Sequence, residues 1–321
     1  MIRPLLEVIT PGFYTTVQDL GRTGFRKYGM AVSGAMDPFA LQVANLLAGN
    51  SRKEAALEIT LKGPRLRLLN DCLLALAGGD LGCQLDGIPI SPWQSFLAQK
   101  GQILSFTQPR EGSRAYLSVF GGFSIPSVMG SKSTYVPAQT GGLKGRPLKM
   151  GDILYGPQGL PGKLKVSRRR LSPQETPRYM THLVVRFIWG PEKDLFTNQS
   201  ISSFLKATYR ITPEADRMGY RLQGPPLELK EKTELVSSAV TKGTIQIPPN
   251  GLPIILMADC QTTGGYPRLG NVISVDLSLL AQLGPGQTLS FQAVTLEEAH
   301  RLYYRQELFF RTLELAAGAF H

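Results

Sequence analysis

Four short patterns occur twice in this chain, in the same order, and they restrict it to a duplicated fold. DLGRTGFR (19–26) returns as EADRMGYR (214–221), sharing Arg-x-Gly-aromatic-Arg. LKGPRLRL (61–68) returns as LQGPPLEL (222–229), DGIPI (86–90) as NGLPI (250–254), and KGQILSFTQ (100–108) as PGQTLSFQA (285–293). Ordered repetition at unequal spacing marks two copies of one domain with different insertions. The repeated units read as β-structure. Asp-Gly and Asn-Gly between apolar runs make hairpin turns, because both residues tolerate positive φ. GQxLSF enters a strand from a tight turn, and LKMGDILYG (148–156) has the same form. Frequent Gly and Pro, 34 and 23 residues, favour short strands with many turns over a helical bundle. The expectation is a mainly β protein of two tandem β-barrel domains with a few short helices.

A length of 321 residues suits two domains. The boundaries are expected at 1–165 for the first, 166–178 for a basic linker and 179–321 for the second. The linker holds the end of KLKVSRRRL (163–171), the densest basic run, which is flanked by Pro/Gly-rich stretches and lacks interleaved aromatics. That composition describes a solvated connection, not a nucleic-acid stripe. Three helices interrupt the β pattern. Asp37-Pro38 supplies an N-cap and a first-turn proline, Phe39, Val43, Leu46 and Leu47 share one face, and Gly49 ends the run. A second helix starts at Thr295 with Glu298 closing a capping box, and carries Leu296, Ala299, Leu302, Tyr303 and Phe310 toward a core. A third, short one follows GPEKDLF (190–196).

The net charge of +11 suits anionic small substrates or an acidic partner. Three cysteines without a CxxC indicate neither a disulfide framework nor a structural zinc site. The N-terminus lacks a secretory apolar region and no run reaches membrane-spanning length. The protein is therefore read as cytoplasmic, with no membrane, nucleic-acid or metal role. There is no GxxxxGK[ST], HExxH or GxSxG, and the three histidines are scattered. Lys149 sits in Leu-Lys-Met, which resembles the Met-Lys-Met context of a biotinylated lysine, but the following Gly-Asp makes it part of a strand-entry turn.

Polar residues instead gather beside glycines in five segments: TVQDLGRTG (16–24), SGAMD (33–37), GSKSTYVPAQTGG (130–142), TIQIP (244–248) and DCQTTGGYPRLG (259–270). Glycine lets backbone approach a ligand, hydroxyl and amide groups orient it, and arginine grips carboxylate or phosphate. The candidates for binding are Gln18, Arg22, Ser33, Asp37, Ser131, Thr134, Arg217, Thr263, Gly264, Gly265 and Tyr266, and those for catalysis are Asp259, Gln246 and Thr262. Each has a structural alternative. Asp37 either caps its helix or enters the site. Arg22 and Arg217, at equivalent repeat positions, either brace turns or bind ligand. Gly264-Gly265 is a hairpin or a ligand wall.

Taken together, TVQDLGRTGFRKYGMAVSGAMD, ANLLAGN, GSKST with its trailing GG, RMGYRL, GTIQIPPNGLPI and QTTGGYP resemble the 5-oxoprolinase C-subunit family, also called allophanate hydrolase subunit 2 or the biotin-dependent carboxyltransferase family. The resemblance spans nearly the whole chain. It departs at Tyr135, where many members carry Asp. The resemblance implies two cyclophilin-like β-barrels, with QTTGGYP lining a cleft between them. It further implies a prokaryotic 5-oxoprolinase that cleaves 5-oxoproline to L-glutamate with ATP and Mg, in direct complex with the B subunit of that enzyme and together with its A subunit. Within the same family stand biotin-dependent carboxyl transfer to urea or a similar small amide, and regulatory binding of a kinase inhibitor that is a relative of the B subunit. The chain shows neither a biotin carboxylase region nor a biotinyl carrier, which favours the 5-oxoprolinase component.

Overall fold

The computed structural model describes residues 2–157, 168–231 and 234–318. The chain divides into two compact units. The first comprises the described residues up to Arg22, Ser33–Tyr179 and those from Phe309 onward; the second comprises Thr23–Val32 and Met180–Leu308. The division is thus discontinuous in sequence.

The first unit carries β1 (Ile2–Thr10), β2 (Tyr14–Gln18), β3 (Ala56–Thr60), β4 (Arg65–Leu68), β5 (Cys72–Asp80), β6 (Cys83–Leu85), β7 (Ile88–Pro89), β8 (Gln94–Ala98), β9 (Ile103–Phe106), β10 (Glu111–Val119) and β11 (Ile153–Pro157). They form two sheets, in the orders β11-β1-β4-β9-β6-β7 and β2-β3-β10-β5-β8. Strand alternation explains the packing. Leu57, Ile59, Leu74, Leu76, Ala115 and Leu117 point into one core with Leu6, Val8, Leu66 and Leu104 of the other sheet. The opposite face of the five-stranded sheet offers the small residues Ala56, Ala75 and Ala77, which leave room for helix α1 (Pro38–Ala48). That helix begins and ends as its sequence predicts, with Asp37 accepting from the Ala40 N–H at 2.9 Å and Gly49 left-handed at φ 86°. Asp86 and Gly87 both have positive φ, 48° and 81°, in the turn joining β6 to β7.

The expected linker behaves differently at its described end. Arg168 and Arg170 are exposed, but Leu171 is buried against the α1 face and its N–H bonds to the Trp93 carbonyl at 2.9 Å. An apolar residue in the basic run therefore anchors it to the first unit. The earlier part of the run, and with it the proposed boundary at 165, lies outside the described residues.

The second unit holds β12 (His182–Trp189), β13 (Tyr209–Ile211), β14 (Gly219–Gln223), β15 (Ser238–Ala239), β16 (Thr244–Gln246), β17 (Ile254–Leu256), β18 (Thr263–Gly264), β19 (Arg268–Val272) and β20 (Thr288–Ala293). Seven close a barrel in the order β12-β19-β16-β17-β14-β13-β20, the parallel β12–β20 pair completing the ring. β15 and β18 form a separate small sheet. Helix α2 (Asn198–Lys206) inserts Phe204, which stacks on Phe291 at 4.4 Å. A further short helix, α3 (Ser274–Leu280), follows β19. Asn250-Gly251 departs from the two-residue hairpin expected of it. Only Gly251 has positive φ, 75°, and its N–H closes a turn on the Pro248 carbonyl at 2.9 Å within a longer loop. Pro248-Pro249 accounts for this, since two residues without N–H cannot continue the β16 ladder. Helix α4 (Leu296–Ala317) starts at Thr295, whose hydroxyl accepts from the Glu298 N–H at 3.2 Å. Phe310 is buried, as expected, but Leu296 and Tyr303 are about half exposed (51% and 50%) instead of facing a core.

Candidate functional site

The polar segments assemble into two clusters, one in each unit. In the first unit the hub is Asp19, at the end of β2. Its carboxylate accepts from the Ser131 hydroxyl (2.7 Å), the Lys132 N–H (2.6 Å), the Gly21 N–H (2.7 Å) and the Ser133 hydroxyl. This bends residues 131–134 around the strand end. Thr134 then bonds through both N–H and hydroxyl to the Val17 carbonyl, at 2.9 Å each. Its own carbonyl accepts from Gln18 Nε2 and the Ser33 hydroxyl, both at 3.1 Å. Arg22, 1% exposed, donates to the Ser133 carbonyl. The double glycine is needed for close approach: a Cβ on Gly141 would sit 2.0 Å from the Ser133 carbonyl oxygen, and one on Gly142 1.9 Å from the Thr134 hydroxyl. Five predicted residues, Gln18, Arg22, Ser33, Ser131 and Thr134, are thus brought together. Gln18 Oε1 is buried with no partner among the described residues.

Asp37 works as the helix cap. It is 1% exposed, its N–H donates to the Tyr116 hydroxyl at 2.8 Å, and that hydroxyl donates to Glu58 at 2.6 Å. Burial first, and then the Glu58 charge, push the Tyr116 phenol well above its usual range. Asp37→Ala should therefore lower stability by about 1 kcal/mol through the lost cap, measured by thermal denaturation.

In the second unit the segment after β17 is pinned at its start by Asp259 and Arg217. The guanidinium grips the carboxylate twice, Nε to Oδ2 at 2.8 Å and Nη2 to Oδ1 at 3.0 Å, and the Asp259 N–H bonds the Arg217 carbonyl at 2.8 Å. Both side chains are buried. β18 then pairs with β15, and Arg268 steadies β15 by donating to the Ala239 carbonyl at 3.0 Å while holding Glu192. The Arg268 hydrogen bonds hold the Glu192 carboxyl below its usual range. The Thr262 carbonyl accepts from the Val240 N–H at 3.1 Å and from Arg26 Nη2 at 3.3 Å. Gln246 lies on β16, 2% exposed, with Gln261 donating to its Oε1 at 3.4 Å. A Cβ on Gly264 would come within 2.5 Å of Gln246 Nε2, so glycine there makes room for the amide. Thr262 is half-buried, and Thr263, Gly265 and Tyr266 are exposed. Gly265 and Tyr266 border a groove of about 1140 Å³ that also runs past Leu227 and Pro248.

Sequence reasoning missed Arg26 and Cys260. Burial pushes the Cys260 thiol up, while nearby Arg26 and Lys242 draw it back. The signal for Arg26 was present in the repeated Arg-x-Gly-aromatic-Arg, whose last position it fills. Among the described residues no group of three His, Cys, Asp or Glu side chains could hold a metal, and no helix is long and apolar enough to cross a membrane.

The model of the family described as carboxyltransferase domain, subdomain A and B, matches residues 28–293. The chain belongs to this family. It is 40% identical to the 5-oxoprolinase C subunit of Escherichia coli over 96% of this chain and 97% of that protein. It is 37% identical to the 5-oxoprolinase C subunit of Haemophilus influenzae, over 95% and 96%. The solved urea amidolyase of K. lactis superposes with a TM-score of 0.88 at 30% identity, covering 97% of this chain but 20% of that one. The chain thus aligns with both sequence relatives along almost the whole length and shares its mainly β fold with a part of the solved structure.

Proposed function

We propose that this chain is the C subunit of a prokaryotic ATP-dependent 5-oxoprolinase, which cleaves 5-oxoproline to L-glutamate in direct complex with the B subunit of that enzyme and together with its A subunit, in the cytoplasm. The observation that carries this reading is mutual coverage. The chain and the two proteins named as the C subunit of 5-oxoprolinase match along almost their whole lengths, whereas it corresponds to a fifth of the urea amidolyase. In this reading ATP would supply a phosphoryl group to the lactam oxygen, leaving ADP, and water would then open the ring with release of phosphate. Donors aimed at the charge developing on that oxygen contribute most to such a step. In this reading Gln246 and Thr262, with the 263–266 backbone and the Tyr266 ring, face the substrate. Arg217 and Asp259, fastened to each other, hold the segment in shape. Gln18, Arg22, Ser33, Ser131 and Thr134 remain binding candidates within the first unit. The described residues provide no carboxylate cluster for magnesium, so no residue of this chain is assigned to ATP.

The structural match to urea amidolyase favours one second reading, biotin-dependent carboxyl transfer to urea or a similar small amide. The two are separated by 5-oxoproline-dependent ADP release from this chain mixed with its cognate A and B subunits. Omitting this chain should abolish release. A competent mixture that releases ADP equally well without it sinks the 5-oxoprolinase reading and leaves carboxyl transfer as the next assay.

A further inference from the structure

Four arginines of the second unit carry the distinction on which this inference rests. Arg186 forks onto Asp276 at 3.0 and 2.6 Å, Arg217 onto Asp259 at 2.8 and 3.0 Å, and Arg268 onto Glu192 at 2.8 and 2.5 Å. Each has its carboxylate. Arg26 has none among the described residues. It gives one long hydrogen bond to the Thr262 carbonyl and lies close enough to the Cys260 thiol for its charge to act on it. A guanidinium has five donors in a fork that matches a carboxylate, so most of this one's capacity is unused. Lys242 adds positive charge at the same thiol.

A second, independent feature lies within the same few residues. Gln246 Nε2 is buried and has no acceptor among the described residues. A buried donor of this kind is costly unless something supplies the acceptor. The amide rests against Gly264, and among the described residues its Oε1 is held by the long bond from exposed Gln261, the bond most readily given up to a ligand. A cation lacking an anion and an amide donor lacking a carbonyl thus converge on residues 260–264.

We infer that Arg26 reads the substrate carboxylate, and that Gln246 donates to the carbonyl of the neighbouring cyclic amide. The inference rests on the 5-oxoprolinase reading and specifies its substrate contacts. 5-Oxoproline has a carboxylate and a lactam carbonyl on either side of one ring nitrogen, which is the pair of groups these residues lack. Arg217 cannot take the carboxylate without abandoning Asp259.

The test is steady-state kinetics of the assembled enzyme, this chain with its cognate A and B subunits, on 5-oxoproline and on 2-pyrrolidinone, which lacks the carboxylate. Arg26→Gln should raise KM for 5-oxoproline by about tenfold or more while kcat changes by less than about threefold, the pattern of lost uniform binding. The preference for 5-oxoproline over 2-pyrrolidinone should collapse with it, which a merely structural role would not produce. Arg26→Lys, keeping charge but not the fork, should fall between. If Arg26→Gln does not fold, Arg26→Lys decides alone. Unchanged KM and unchanged preference in the folded variant overturn the inference while wild-type turnover upholds the functional reading. Absence of 5-oxoproline turnover in the wild-type assembly overturns both.

Discussion

Arg217→Ala is expected to destabilise the second unit by about 3–5 kcal/mol, because it strands a buried carboxylate without its partner. Asp259 is 3% exposed and its two oxygens take the two guanidinium bonds. Removing Asp259 instead leaves the guanidinium stranded, and a loss of similar size should follow. Replacing both together, Arg217→Met with Asp259→Leu, should cost much less than the sum of the single losses, since neither charge is then buried alone. Denaturant unfolding of the four proteins closes the cycle. A single-variant loss under about 1 kcal/mol would mean that the pair is solvated and does not hold the 259–264 segment. Turnover should fall in the single variants and in the double variant alike, because the pair also sets where Thr262 and Gly264 stand.

Asp19→Ala should cost about 2–4 kcal/mol, a loss built from donors left without an acceptor in a mostly buried site. Four groups converge on that carboxylate, and two of them are backbone N–H groups, of Gly21 and Lys132, that cannot rotate elsewhere. The Ser131 and Ser133 hydroxyls can turn away and recover part of the loss. Asp19→Asn keeps one acceptor oxygen and should fall roughly midway between wild type and the Ala variant. Thermal denaturation should show a Tm drop of roughly 5–15 °C for the Ala variant. A drop of a degree or two would show that residues 131–134 hold their bend without Asp19.

Much of the local structure was legible before any coordinates. Asp37, Pro38 and Gly49 delimit α1 because capping is satisfied within four residues of chain. Asp86-Gly87 makes its turn for the same reason. The site was legible only as a set of segments. Gln18, Arg22, Ser33, Ser131 and Thr134 do meet, but their meeting is arranged by Asp19, whose centrality depends on donors more than 100 positions away in sequence. Leu296 and Tyr303 show the opposite failure. Helical spacing placed them toward a core, and the fold put nothing over them.

What the sequence determined by itself is whatever closes within a turn or a strand pair: the helix caps, the turns, the β alternation and the repeat that doubles them. What only the tertiary structure decided is which of several similar side chains is already satisfied. Arg22, Arg26 and Arg217 are all arginines in matching glycine-rich motifs. Arg217 is held by Asp259, Arg22 is turned onto a buried carbonyl, and Arg26 makes one long hydrogen bond to the Thr262 carbonyl. Ion pairing acts through space over a few ångströms and falls off with distance, not with sequence separation, so no spacing in the chain could assign the partners.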